Sequence, residues 1–228
     1  MLLSFPNWII HISSALEWGV AAALIFHYGR ITGRRTIRLF GLAMLPHWCG
    51  SFFVLAYHTF GDSIPLLLDL SEVINLFGST ALLLATLKLL KSTINASAAG
   101  TTTAIAAIMI AGKPQSWLGA DIFDTILQLS SVVYLTFLVL LLIVYRRDRS
   151  VFSGLTVAGF WFVLVFISIT IFCMYLATQV RGYPTLSHDD LLHGVAESLL
   201  TASNLMIAIG AHRKIREYER SRLNHSQG

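Results

Sequence analysis

Long apolar stretches alternate with short polar connections along the 228-residue chain. Each stretch holds about 20 or more residues that are almost free of charge, which is the length that a helix needs to cross a bilayer. A weaker segment, residues 92–112, is rich in Ala, Thr and Ser and is a candidate for a further span. The clear spans are predicted near residues 7–28, 36–60, 64–87, 120–145, 152–178 and 190–211.

The composition supports a membrane protein and argues against a nucleic-acid partner. The chain is 55% hydrophobic and 12% charged, with a mean hydropathy of +0.70, whereas a soluble domain carries about twice that charged fraction. The net charge is +4 and the pI is near 9.3, but the basic residues lie in the short connections. This distribution is typical of the positive-inside rule. We therefore predict an all-α, polytopic transmembrane helical bundle that resides in a lipid membrane.

The same charges predict the topology. The connection "GRITGRRTIR" after the first span carries four arginines and should face the cytoplasm or stroma. If residues 92–112 also cross, the arginines of "YRRDRS" and of the C-terminal tail return to that side. We therefore predict seven spans, or six if residues 92–112 do not cross. The N-terminus is then outside or lumenal, and the C-terminus is cytoplasmic or stromal.

A weak internal repeat relates the two halves of the chain. "ISSALEWGVAAALIFHYGR" and "LSSVVYLTFLVLLLIVYRR" share Ser-Ser near the start and Tyr followed by Arg at the end. Later in each half, Glu72 aligns with Glu197 and Ser79 with Asn204. The repeat predicts a 3+1+3 architecture of two parallel units. Its parts are a three-helix unit over residues 1–91, a linker span and outer loop over 92–119, and a second unit over 120–228.

Polar side chains of four predicted spans fall at one depth, in the outer half of the membrane. Ionisable groups are costly in hydrocarbon and commonly mark functional sites there. His193 and Glu197 are four residues apart and share one helix face. The candidate catalytic residues are Glu17, Glu72, His193 and Glu197. The candidate cofactor-binding residues are His11, His47, Trp48, His58, Asp69 and Asn204.

Two stretches resemble known families. "FPNWIIHISSALEWGVAAALIFHYG" with "MLPHWCGSFFVLAYHTF" resembles a small three-helix membrane family of cyanobacteria and plastids, one member of which is catalogued as a hypothetical chloroplast open reading frame. "LSHDDLLHGVAESLLTASNLMIAIG" is similar to a second family, whose hallmark is close to "DWLHGGAEALLTLTNL". Leu191 replaces the aromatic residue of that hallmark, and Val195 replaces a glycine.

The resemblance covers about residues 5–90 and 120–212 and implies a fusion of two families of unknown function from oxygenic phototrophs. It implies a thylakoid or cyanobacterial plasma membrane and a possible association with a photosynthetic membrane complex. It assigns no chemistry and names no cofactor.

Three functions therefore stay open, and whether the protein is an enzyme is undecided. The leading hypothesis is that the protein binds or processes a hydrophobic cofactor (a pigment, a quinone or another isoprenoid), and no residue is assigned as a metal ligand under it. The second is a proton-coupled carrier that uses Glu72 and Glu197 as symmetry-related sites. The third is a metal-dependent membrane hydrolase with His11, His58 and His193 as ligands and Asp69 nearby. Convergence of three histidine nitrogens on one point would favour the third hypothesis.

Overall fold

The computed structural model describes residues 3–94 and 119–226, and within these ranges the chain is helical and contains no strand. A π-helical turn, Leu176–Val180, continues the sixth helix, and a 3-10 turn, Leu186–His188, precedes the seventh. The α-helices are α1 Phe5–Ile31, α2 Arg35–Ala43, α3 Leu45–Thr59, α4 Pro65–Ile94, α5 Ala120–Arg147, α6 Gly154–Tyr175 and α7 Asp190–Ser226.

The helices confirm the predicted transmembrane bundle. Six of them, with α2 and α3 taken together as one, are long and apolar enough to cross a membrane. Each corresponds to one of the six clear apolar stretches of the sequence. From residue 95 onward, the candidate span at residues 92–112 lies outside the described residues, so the seventh crossing stays a prediction.

The second span is broken between α2 and α3. Pro46 lies in the first turn of α3, where a residue without an N–H group is tolerated because that donor would have no helical partner. At the break, Trp18 Nε1 of α1 donates a hydrogen bond of 2.9 Å to the Met44 carbonyl oxygen. This bond satisfies a main-chain acceptor within a membrane span, where hydrocarbon cannot provide a hydrogen bond.

The packing of the helices follows the order of the two predicted units. α1 packs along α7, and α4 packs along α5, so the first helix of each unit lies against the last helix of the other. Within the units, α3 packs on α4 and α6 packs on α7. The boundaries of the two units themselves stay a prediction.

The apolar core lies toward the end of the bundle that carries the arginine-rich connections, which we call the basic end. Phe40, Phe137 and Phe160 are fully buried there, and the Phe137 and Phe160 rings meet edge to face with centroids 5.4 Å apart, a favoured aromatic geometry. Gly159 lets α6 approach α7, since a Cβ at this position would lie 2.7 Å from Ile207 Cγ1. The opposite end, which we call the distal end, is left to hold polar side chains.

A polar clamp at the basic end joins the α1–α2 turn to the α5–α6 connection. The Tyr28 hydroxyl donates to the Ser150 carbonyl oxygen over 2.6 Å, and Arg34 donates to Ser150 Oγ and to Asp148 Oδ2, each over 2.6 Å. Burial disfavours ionisation of Asp148, but hydrogen bonds from Ser150 and Arg34 outweigh it and hold the pKa of this carboxyl below its usual value. The clamp therefore contains a charged carboxylate at neutral pH.

We expect Asp148→Asn to lower the free energy of unfolding at neutral pH by up to about 1 kcal/mol, the usual worth of a partly exposed ion pair. Because the folded-state pKa is depressed, this stability is present above the unfolded pKa of about 3.9 and is lost as the pH falls through the folded pKa. Thermal unfolding in detergent across this pH range should show the wild type and the variant converging in acid. A constant difference, or one shared by the control Arg147→Gln, whose side chain makes no ion pair with the described residues, would contradict this.

Candidate functional site

Three histidines from three helices meet at the distal end of the bundle. His11 of α1 and His193 of α7 approach to 2.7 Å between their Nε2 atoms. The ring centroid of His58, on α3, lies 4.8 Å from that of His11 and 5.3 Å from that of His193. One ligand nitrogen from each histidine lies within 4.8 Å of the other two. All three residues are buried, with exposures of 5–7%.

The starts of α1 and α7 are joined by a polar latch. Asn7 Nδ2 donates to the main-chain oxygen and to Oδ1 of Asp190, each over 2.7 Å, and the Ser4 N–H donates to the same carboxylate over 2.8 Å. Asn7 also fills the space above Gly194, where a Cβ would lie 2.2 Å from Asn7 Oδ1. The latch therefore aligns the first turn of α7 with the first turn of α1, between the histidines and the distal end of the bundle.

A second pair fixes the same two helices below the histidines. Asn204 Nδ2 donates to both the main-chain oxygen and Oγ of Ser14, each over 3.0 Å. Both residues are buried. Because polar pairs flank them on both sides, His11 and His193 cannot slide past one another without unpairing groups that hydrocarbon does not solvate.

The third histidine is oriented by the α3–α4 turn. His58 Nδ1 lies 2.8 Å from Asp62 Oδ1, and both side chains are almost fully buried. Asp62 has φ +59°, and it is the one non-glycine residue with positive φ in the part of the chain that the structure describes. Asp tolerates this left-handed conformation better than most residues, yet it still costs free energy. This conformation directs the Asp62 carboxylate at His58.

Asp62 is ionised in this turn. Burial disfavours the charged form, but the hydrogen bond with His58 contributes to an opposing effect that is larger, so the pKa of the Asp62 carboxyl lies below its usual value. The negative charge therefore lies on the Nδ1 side of His58. The ring nitrogen of His58 that Asp62 does not contact is Nε2.

Glu197 takes a similar place behind His11. Its Oε2 atom lies 3.8 Å from His11 Nδ1, and its side chain keeps 17% exposure. The predicted pairing of His193 and Glu197 on one helix face thus brings both residues to His11. Two of the three histidines have a carboxylate near Nδ1, while His193 Nδ1 is buried without a hydrogen-bond partner among the described residues.

This arrangement has a defined chemistry. Three imidazole nitrogens are a common protein ligand set of catalytic zinc sites. In metal sites the second ring nitrogen of a ligating histidine usually meets a carboxylate or a carbonyl, which fixes the tautomer and the ring orientation. Asp62 and Glu197 occupy these outer positions for His58 and His11.

The other predicted acids lie on α1 and on α4. Glu17 is six residues after His11 on α1, so it projects about 120° around the helix from it. Glu72 lies on α4 near Asn75 and Asp69 of the same helix, and Asp69 is buried. The sequence predicted one polar layer for all these groups, whereas the residues that the structure draws together are His11, His58, His193 and Glu197.

His47 and Trp48 make helix contacts. His47 lies against Gly78 of α4, where a Cβ would be 2.3 Å from its Nδ1 atom, and its Nε2 atom is 3.3 Å from Ser79 Oγ. Trp48 lies against Gly19 of α1 in the same way, 2.9 Å from a Cβ built there. Both side chains hold α3 in place, as Asn204 holds α7, although all three were predicted to bind a cofactor.

Two residues of the site were missed by sequence reasoning. Neither Asn7, which lies one turn before His11, nor Asp62 is among the predicted site residues. The available signal was spacing, because Asp62 follows His58 by four residues. That spacing places a carboxylate near the histidine even where the helix has ended.

Asn7→Ala should loosen the register of α1 and α7, because it leaves the Asp190 groups without their amide donor. We expect a loss of about 1 kcal/mol in the free energy of unfolding, the usual net contribution of a hydrogen bond, since Asp190 is only partly buried and keeps the Ser4 N–H. Thermal unfolding in detergent measures this. Ser13→Ala is the matched control, since Ser13 Oγ bonds only to Ile10 of its own helix. Equal stability of both variants would refute the latch.

The fold and the site together define a polytopic helical membrane protein with a buried three-histidine cluster. The chain belongs to the family of the Ycf49-like proteins. It is 32% identical over 85 residues to the "Ycf49-like protein" of Synechocystis sp. (strain ATCC 27184 / PCC 6803 / Kazusa), an alignment that covers 36% of this chain and 82% of that relative. This cyanobacterial relative agrees with the expected origin in a photosynthetic organism.

Two family descriptions match successive parts of the chain. "Protein of unknown function (DUF2499)" matches residues 2–88, and "Protein of unknown function (DUF3593)" matches residues 123–216. The predicted fusion of two families is thereby confirmed. No solved structure matches the chain. His11 and His58 fall in the first matched segment and His193 in the second, so the cluster is assembled from both.

Proposed function

We propose that this protein is a membrane metalloprotein in which His11, His58 and His193 bind one divalent transition-metal ion. The observation that carries the proposal is the approach of three ligand nitrogens to within 4.8 Å of one another. No two of these histidines belong to the same helix. Their convergence is therefore a product of the whole bundle and not of local sequence spacing.

The dimensions suit a metal ion after a small adjustment. Zn–N bonds are 2.0–2.1 Å long, so neighbouring nitrogens of a tetrahedral site lie about 3.3 Å apart. The observed Nε2 separation of His11 and His193 is 2.7 Å. Metal binding would therefore widen this pair by about 0.6 Å and draw together the nitrogens that lie up to 4.8 Å apart.

The charges suit a divalent ion in particular. A buried 2+ charge is costly in a low-dielectric environment unless negative groups lie near it. Asp62 lies behind His58 as a charged carboxylate, and Glu197 places a second acidic group behind His11. Imidazole ligands favour zinc, copper, iron and nickel over calcium and magnesium, which prefer oxygen.

Among the three functions that the sequence left open, the metal-dependent hydrolase is best supported. An ion held by three histidines retains a coordination position for water or substrate, the arrangement used in hydrolytic zinc sites. The carrier hypothesis is less well supported. Glu197 lies behind His11, and Asn75 and Asp69, which lie near Glu72, belong to the same helix as Glu72. The hydrophobic-cofactor hypothesis is also less well supported, because the three imidazoles face one another.

Metal analysis of the purified protein tests the proposal. After incubation with Zn²⁺ and removal of free ion, we expect about one equivalent in the wild type and near zero in His58→Ala and His193→Ala. Co²⁺ in place of Zn²⁺ should give visible bands of a tetrahedral site in the wild type alone. His188→Ala is the control, because His188 is an exposed residue at the same end whose ring bonds to Thr185. Full retention of metal by the ligand variants would refute the site.

Asp62→Asn tests the outer position. Removal of a carboxylate partner of a ligating histidine typically lowers metal affinity about 10- to 100-fold. We expect that loss in a competition titration with a chelator, with one equivalent still bound at saturation. Asp121→Asn removes an exposed carboxylate at the start of α5 and should leave the affinity unchanged. An unchanged affinity in Asp62→Asn would exclude the assigned role.

A further inference from the structure

The seventh helix is too long to lie entirely within the membrane. α7 has 37 residues, which is about 55 Å at 1.5 Å per residue, whereas the hydrocarbon core is about 30 Å thick. Its apolar part begins after Asp190, which is held at the distal end by Asn7. About 20 residues span the core, so the helix leaves the hydrocarbon near Ala211, and its remainder projects from the basic end.

One stripe of α7 faces lipid along the whole span. Leu191, Val195, Leu205 and Ile209 are exposed large apolar residues, between 42% and 68% accessible. Their spacing of four, ten and four residues keeps them on one face of a 3.6-residue helix. On the opposite side, Ala196, Ile207 and Ala211 are buried against the bundle.

Three arginines continue this lipid-facing stripe beyond the hydrocarbon. Arg213, Arg216 and Arg220 follow Ile209 at intervals of four, three and four residues, which keeps them on the same face. All three are exposed. At 1.5 Å per residue they lie about 3 to 14 Å past Ala211, which spans the headgroup layer of about 5–8 Å and its outer boundary.

None of the three arginines forms an ion pair among the described residues. Glu217 pairs with Lys214 over 2.7 Å, and the exposed Glu219 lies between Arg216 and Arg220 in the sequence. By contrast, Arg34 is engaged by Asp148 in the polar clamp. A guanidinium row at headgroup depth matches phosphate oxygens in charge and in geometry, because guanidinium groups bind such oxygens bidentately.

We propose that Arg213, Arg216 and Arg220 form a binding surface for the phosphate headgroups of anionic lipids in the leaflet at the basic end. The acyl chains of these lipids lie along the apolar stripe of α7, and their phosphates meet the arginine row directly below it. This surface is distinct from the histidine cluster at the distal end. The positive-inside rule accounts for basic residues at this end of the bundle, but not for their alignment with the lipid-facing stripe.

Lipid titration of the full chain in a nonionic detergent tests this surface. Phosphatidylglycerol should raise the thermal unfolding temperature of the wild type, and phosphatidylcholine should not. For the triple variant Arg213→Gln, Arg216→Gln, Arg220→Gln, half of that rise should require on the order of a hundredfold more phosphatidylglycerol, about fivefold for each basic residue removed. The corresponding triple Lys variant retains the charges and should keep most of the response.

A matched control removes the same charge from the same end of the bundle. The triple variant Arg146→Gln, Arg147→Gln, Arg149→Gln changes the end of α5 and the α5–α6 connection, outside the α7 row, and should respond within about twofold of the wild type. The proposal is overturned if both Gln triples lose the response equally, since net charge would then explain it. It is also overturned if the α7 triple responds as the wild type does, or if soluble glycerol phosphate reproduces the shift.

Discussion

The contact between α1 and α7 is the constraint on which the distal end of this molecule depends. The two helices bury polar side chains between them, Asn7 and Asn204 fully and Asp190 in part. Each group must therefore find a protein partner or incur a large desolvation cost. Asn7 meets Asp190, and Asn204 meets Ser14. Measured hydrogen bonds between membrane helices average only about 0.6 kcal/mol each, so their main effect here is on register.

The third helix is brought to this pair by sterics. Glycine at positions 19 and 78 leaves room for Trp48 and His47, and these large side chains fix the start of α3 against α1 and α4. From there α3 runs toward the distal end and delivers His58 to the side of His11. The strained Asp62 then fixes the ring. Four kinds of contact thus assemble the site from three helices. They are the polar latch, the Asn204–Ser14 pair, the packing against Gly19 and Gly78, and the left-handed turn at Asp62.

The sequence predicts the spans well because the bilayer imposes the length and the apolar character of each one. It also predicts depth along each helix, since the rise per residue is constant. Depth alone does not tell which of the acids predicted at one level face the histidines. The angle at which a side chain leaves its helix has meaning only relative to a neighbour, and the neighbours are set by packing.

The difference between local spacing and helix packing explains which parts of the site could be predicted from the sequence. His193 and Glu197 were paired correctly because both lie on one helix and their spacing is local. The approach of His11, His58 and His193 was only one hypothesis among three, because it depends on α1 lying against α7. That contact joins residues more than 180 positions apart in the sequence. Asp62 was missed because its contribution depends on a left-handed turn.

The division of the cluster between two family segments has a structural consequence. His11, His58 and Asp62 lie in residues 2–88, while His193 and Glu197 lie in residues 123–216. Neither segment contains the three histidines by itself. Each segment also buries its first helix against the last helix of the other, so the histidines are completed by the same interfaces that assemble the bundle. Covalent linkage makes this assembly intramolecular, which raises the effective concentration of one segment for the other. A chain that held only the first segment would present two histidines and an α1 face with unpaired Asn7 and Ser14, and a second membrane protein would have to supply what α7 supplies here.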